Sequence, residues 1–296
     1  MKLSRGEKLF DVLNIGLLFV LSLLFLLPFI SVVATSLISG KEYATRGLFI
    51  LYPHDPTLSA YKMLLGQGSM VINAYIVTVA RVVIGTALNL LFTFPLAYVL
   101  SKRHLYGRTF LTVLIFFTML FHGGLIPNFV VVEKLGLLDS FWAMIFPPLI
   151  NPWWLLIMRN FMFSIPDELE EAAIVDGASP LTVLVRIILP LSMPVIATIG
   201  LWYAVMHWNA WFDAAIYINN PDKLPLQLIL RGILEYGTGQ YSDYSGLAQA
   251  TEILDPPPAE SLKAAMIVVT TLPILLVYPF IQRYFVKGIM LGSIKG

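Results

Sequence analysis

Apolar residues in this chain do not follow the one-sided spacing of a soluble surface helix; they run on, face after face. Six stretches qualify as membrane spans by length: residues 12–33, 70–100, 110–132, 141–158, 191–218 and 264–285. A helix needs about 20 such residues to cross a bilayer. Strands of a membrane barrel would be about ten residues long and would alternate in polarity, which these runs do not. The pattern therefore predicts an all-α membrane protein: six transmembrane helices in a single domain over residues 1–296. The second run is longer than needed and predicts tilt. The fourth is short and interrupted by Pro147, Pro148 and Pro152. His122-Gly123-Gly124 and Pro127 predict a kink in the third.

Between the spans, the polar residues set the orientation. Lys and Arg concentrate in one set of segments: Lys2, Arg5 and Lys8 at the start, Lys102, Arg103 and Arg108 in the tight second loop, and Arg283, Lys287 and Lys295 at the end. The positive-inside rule then predicts that both termini are cytoplasmic. The first apolar run exceeds the 7–15 residues of a signal-peptide core, and Val32-Val33-Ala34 is a poor cleavage site, so an uncleaved helix is expected. Outside lie two long segments, 37–69 and 219–263; the Gly-, Ser-, Tyr- and Pro-rich part of the second reads as flexible, or as ordering on a partner. Inside lies the long connection 159–190.

Composition narrows the function classes. Apolar residues make up 58% and charged residues 12%, about half the charged share of a soluble domain. The mean hydropathy of +0.80 agrees. A net charge of +1 lacks the basic excess of a nucleic-acid binder. With no cysteine, disulfides, thiol catalysis and Cys-ligated metals are excluded, and the four histidines are too dispersed to suggest a metal site. There is no Gly-x-x-x-x-Gly-Lys-Ser/Thr phosphate loop, and neither His-Glu-x-x-His nor Gly-x-Ser-x-Gly occurs. The chain is not expected to be an enzyme or to hold a cofactor; any ATP and Mg must be bound by a separate subunit.

The inner connection is the most ordered loop in character. Ser164 with Asp167 reads as a capping box, and Pro166 suits a first helical turn. Asp167, Glu168, Glu170 and Glu171 lie where the helix dipole favours anions. Gly177 supplies a left-handed stop, and Ser179-Pro180 caps a second helix running into the fifth span. A short rigid helix on the cytoplasmic face can dock into a soluble partner as a lever. Ala172 and Ala173 would allow close approach, Glu171 and Asp176 would make directed polar contacts, and Gly177 would fix the angle. The plainer reading is a polar surface helix joining two spans.

Polar residues inside the spans are the second candidate site. In the fifth span Trp202, Met206, Asn209 and Asp213 are spaced to share one helical face, where aromatic, amide and carboxylate groups suit a sugar. The alternative is an aromatic belt with helix–helix hydrogen bonds. Arg81 and Asn89 are eight apart on the second span; Arg81 either meets an acidic substrate or snorkels outward.

Glu171-Ala172-Ala173, then Asp176-Gly177-Ala178, then Ile188-Leu189-Pro190 resemble the EAA loop of binding-protein-dependent ABC importers, with Ile165-Pro166 and Glu168-Leu169-Glu170 matching its extended form. The tail Lys287-Gly288 to Gly292-Ser293-Ile294-Lys295-Gly296 resembles that of the smaller permease of maltose-type carbohydrate importers. Trp208-Asn209, Trp211-Phe212 and Pro225-Leu226-Gln227 look most like permeases for complex or multiple sugars. The resemblance implies the type I ABC importer permease fold and a bacterial or archaeal cytoplasmic membrane. It also implies a coupling role for Glu168, Glu171, Ala172, Ala173, Asp176 and Gly177, and contact of the tail (Lys287, Gly288, Lys295, Gly296) with a cytoplasmic ATPase dimer. A second related permease and an external sugar-binding protein complete the implied assembly. The competing class, an ion-coupled secondary transporter of small solutes, calls for inverted repeats or broken helices around a midplane site.

Overall fold

The computed structural model describes residues 4–47, 50–66, 69–241 and 257–293, with no strand among them. The helices are α1 (Arg5–Ser36), α2 (Gly40–Arg46), α3 (Ser59–Leu64), α4 (Met70–Ser101), α5 (Arg108–Leu120), α6 (Leu125–Lys134) and α7 (Pro152–Met162). They continue with α8 (Glu168–Val175), α9 (Pro180–Leu191), α10 (Met193–Asn209), α11 (Phe212–Tyr217), α12 (Leu226–Tyr241) and α13 (Ala259–Ser293).

Among the described residues three helices are long and apolar enough to cross a membrane, Gly6–Ser36, Met70–Ser101 and Ala259–Val277, or five if two sharply bent pairs each count as one span. The expected third run, 110–132, is one such pair: α5 and α6 meet at 116° across His122, Gly123 and Gly124. Gly124 takes φ 85°, which an L side chain rarely adopts. The fourth run, 141–158, is not a continuous helix. A 3₁₀ turn at Phe141–Met144 ends before the three prolines, and α7 starts only at Pro152, with the Asn151 side chain capping it. The fifth run is broken twice. α9 and α10 meet at 79°, and α10 ends at Asn209, where Ala210 turns extended before α11. The expected external loop holds α12, and residues 242–256 lie outside the described residues.

The chain divides into two compact units, one of Leu230–Ile274 with the chain up to Ile72, the other of Asn73–Ile229 with the chain from Leu275. In the first, Ala34, Ile38 and Ile50 form a small core. Glu42 is buried beside it and accepts from the His54 and Asp55 amides at 2.8 and 3.1 Å and from Arg46 at 2.6 Å. Most of α1 is exposed, Phe25 by 72%, as befits a helix that meets lipid tails. The second unit is built on Phe94, Ala97 and Leu100 of α4, Leu155, Met158 and Met162 of α7, Val183 and Ile188 of α9, and Val195, Ile199 and Tyr203 of α10. This unit holds both candidate sites.

Candidate functional site

The 159–190 loop folds from its local sequence signals with one change. Asp167, not Ser164, is the N-cap of α8, and it makes no side-chain cap bond; Ser164 donates back to the Phe161 carbonyl at 2.6 Å. The helix end follows the expectation closely. Gly177 has φ 85°, its N–H donates to the Ile174 carbonyl at 3.0 Å, and the Ala178 N–H donates to Ala173 at 2.9 Å. That pair of bonds is a Schellman motif. Ser179 then accepts from the Thr182 N–H at 3.3 Å, with Pro180 at the first turn of α9. Pro190 has no N–H and its ring crowds the carbonyl four residues back. The turn Leu184–Ile188 just before it opens to π geometry.

α8 has two faces. Ala173, and Ala178 beyond it, pack on the core. Glu170 points the same way: both its oxygens meet Lys102 Nζ, and the Tyr98 hydroxyl donates to it at 3.0 Å. Lys102 Nζ also lies 4.1 Å from the Tyr98 ring centroid. The opposite face is open. Glu168, Glu171, Ala172, Asp176 and Gly177 are exposed, among Ile174 (59%) and Val175 (87%). Of the six residues expected to act together, five share that surface and Ala173 is turned inward.

The intramembrane candidates form a different constellation from the expected one. Arg81 does not snorkel. It is 1% exposed and donates to both oxygens of Asp213, one at 3.1 Å, and to the Met144 carbonyl at 3.1 Å. Its Nε–H donates to His207 Nδ1 at 3.4 Å, which assigns the other ring proton to Nε2, 2.7 Å from Asn89 Oδ1. Asn89 in turn donates to the Pro148 and Leu149 carbonyls at 2.9 and 2.7 Å. One turn further, Thr93 and Tyr203 hydroxyls pair at 2.9 Å. Arg81, Gly85, Asn89 and Thr93 thus recur every four residues as one stripe of α4 against α10. Gly85 leaves room for the His207 ring: a Cβ there would sit 2.4 Å from His207 Nε2.

The expected face of Trp202, Met206, Asn209 and Asp213 is not continuous, because α10 stops at Asn209. Trp202 and Met206 pack against the core, exposed Asn209 donates to the Val205 carbonyl of its own helix at 3.0 Å, and Asp213, on α11, turns to Arg81. Sequence reading had no signal for the role of Glu170. Lys102 stood out only as a topology marker, and His207 only as one of four dispersed histidines. Lys287 and Gly288 lie on α13, while Lys295 and Gly296 lie outside the described residues.

Residues 83–291 match the family model described as the binding-protein-dependent transport system inner membrane component. The polygalacturonan/rhamnogalacturonan transport system permease protein YtcP of Bacillus subtilis (strain 168) is 45% identical over 290 residues, covering 98% of this chain and 99% of that protein. Protein LplC of the same strain is 45% identical over 293 residues, 99% of this chain and 97% of its own. Among solved structures, a chain from a bacterial ABC transporter involved in the import of the acidic polysaccharide alginate superposes with a TM-score of 0.86 at 33% identity, covering 96% of this chain and 99% of that one. A family match over most of the chain and near-full-length relatives at this identity lead to one conclusion: the chain belongs to the inner membrane components of binding-protein-dependent transport systems.

Proposed function

We propose that this chain is one of two membrane subunits of an ATP-driven importer for oligosaccharides derived from an acidic polysaccharide. The outer face of α8 is its docking surface for a cytoplasmic ATPase. The carrying observation is that face itself: Val175 is 87% exposed on a helix held to the core by Ala173 and Glu170, ringed by Glu168, Glu171 and Asp176. An apolar knob in an acidic rim, held rigid, is suited to insertion into a protein cleft. The substrate class is supported by the two kinds of polymer named for its relatives, polygalacturonan and alginate, both chains of uronic acids. A paired second permease follows from stoichiometry, since one α8 serves one ATPase subunit and nucleotide is hydrolysed by a dimer. An external binding protein delivers the sugar. In this reading six segments cross the membrane, both termini are cytoplasmic, and the end of α13 reaches the ATPase dimer. Family membership argues against the ion-coupled secondary transporter.

The test is reconstitution of this chain with a second permease, an ATPase and a binding protein in liposomes. ATP hydrolysis should rise with binding protein plus galacturonate or alginate oligomers and stay basal with neutral oligomers of equal length. Equal stimulation by neutral sugars refutes the substrate class. Topology is read separately: Ser59→Cys should react with an impermeant maleimide in intact cells, and Leu181→Cys only after the membrane is opened. The reverse result refutes the orientation.

A further inference from the structure

We propose that Glu170 is a positioning residue that fastens α8 to the cytoplasmic end of α4, so that displacement of the lever moves the helix that carries the intramembrane stripe. The inference rests on the reading of α8 as the ATPase docking surface. Its own evidence is geometric. Asp167 provides no side-chain cap at one end of α8, and Gly177 is open at the other, with nothing within 4 Å of where a Cβ would sit. Through its backbone alone, α8 could pivot at both ends. Glu170 removes that freedom. Its carboxylate is held by Lys102 Nζ on both oxygens and by the Tyr98 hydroxyl at 3.0 Å, and the Lys102 ammonium is itself seated 4.1 Å from the Tyr98 ring centroid. The ion pair is largely withdrawn from solvent, at 19% and 16% side-chain exposure. It is therefore little weakened by salt. Tyr98 lies on α4 and Lys102 just past its end, five residues and nine residues beyond Thr93, the last member of the polar stripe. Force applied to the open face of α8 thus has a stiff charged route into α4, beside the softer apolar contact of Ala173.

The experiment uses the full reconstituted assembly with Glu170→Gln, Lys102→Met and the reversed pair Glu170→Lys/Lys102→Glu. Two quantities are read: sugar transported per ATP hydrolysed, and capture of the ATPase by a short photocrosslinker on Val175→Cys. Each single variant should lose about tenfold in transport per ATP, the factor that corresponds to one charge-assisted hydrogen bond, with capture retained. The reversed pair should recover most of it. If both single variants couple normally while capture persists, the pair only packs the loop, and the inference is wrong while the docking surface stands. Uncoupling that persists in the reversed pair also overturns it, by assigning the loss to an ATPase contact. If Val175→Cys captures no ATPase in an otherwise unchanged chain, the docking reading falls and takes the inference with it.

Discussion

Removing Asp213 should harm this protein more than removing Arg81, although the two form one ion pair. The guanidinium is 1% exposed, whereas the carboxylate keeps 23%. Asp213→Ala leaves a buried cation with the Met144 and Ala210 carbonyls and His207 for company and no carboxylate. Orphaning one member of a buried pair costs about 3–5 kcal/mol. Arg81→Met leaves a carboxyl group that reaches solvent and keeps the Ala214 N–H at 2.8 Å; about 1–3 kcal/mol is expected, the penalty of one unsatisfied polar group. The double variant removes both charges and should cost less than the two singles added together, because neighbours in one network do not add. Melting of the purified assembly in detergent, followed by size-exclusion fluorescence, should fall by about 6–20 °C for Asp213→Ala, at about 2–4 °C per kcal/mol. It should fall much less for Arg81→Met and for the double variant. Equal and additive losses would refute the burial argument. Lost transport with unchanged melting would instead place Arg81 on the substrate path.

The other expectations are as follows. Gly177→Val meets no steric obstacle but must hold φ near 85°, costing about 1–3 kcal/mol in the loop alone; sugar-stimulated ATPase should drop while membrane levels of the chain, measured by immunoblot, stay within twofold. Gly85→Ala drives a Cβ to 2.4 Å from a His207 ring held by Asn89 and Arg81, and about 1–3 kcal/mol of melting stability should go; Gly200→Ala meets only a flexible Leu90 methyl at 3.0 Å and should be milder. On α2, burial works to raise the Glu42 carboxyl pKa, but the His54 and Asp55 amides and Arg46 prevail and hold it at about 2. A depressed folded value means that its contribution is full above the ordinary 4.5 and is lost as pH falls from there towards 2. Exchange of the His54 and Asp55 amides, corrected for intrinsic rates, should therefore quicken over that window, and Glu42→Gln should abolish the pH dependence.

What the sequence disclosed depended on the range of the signal. Gly177, Ser179-Pro180 and the breaks at His122-Gly123-Gly124 and Pro147-Pro148 are encoded by the residues that execute them, and the loop and two interruptions were legible for that reason. The break after Asn209 has no Pro or Gly to announce it, so a helical wheel placed Asn209 and Asp213 on one face that does not exist. Arg81 and Asp213 were each visible as intramembrane charges, yet their separation of 132 residues hid that each is the other's partner. Glu170 matched a helix-dipole preference equally well whether it faced solvent or Lys102. The packing of Ala173 on the core and the pairing of Glu170 with Lys102 together fix which way α8 is rotated.

That same separation bears on how the chain is made. Arg81 enters the bilayer on α4, and Asp213 is not yet synthesised; at about 5–20 residues per second the gap lasts roughly 7–26 s. During it the guanidinium carries an insertion cost of about 2.5–3.5 kcal/mol, which about six Leu, Ile, Val or Phe residues offset. α4, the second of the long helices and less apolar than α1, still has the residues to do so. The second helix can therefore be threaded early but not seated. It must wait, its charge drawn to the headgroups or shielded by the insertion machinery, until ribosome and translocon have delivered α10 and α11. A ribosome stalled between these points should leave a nascent chain whose second helix is inserted, yet more open to membrane proteases than the finished protein.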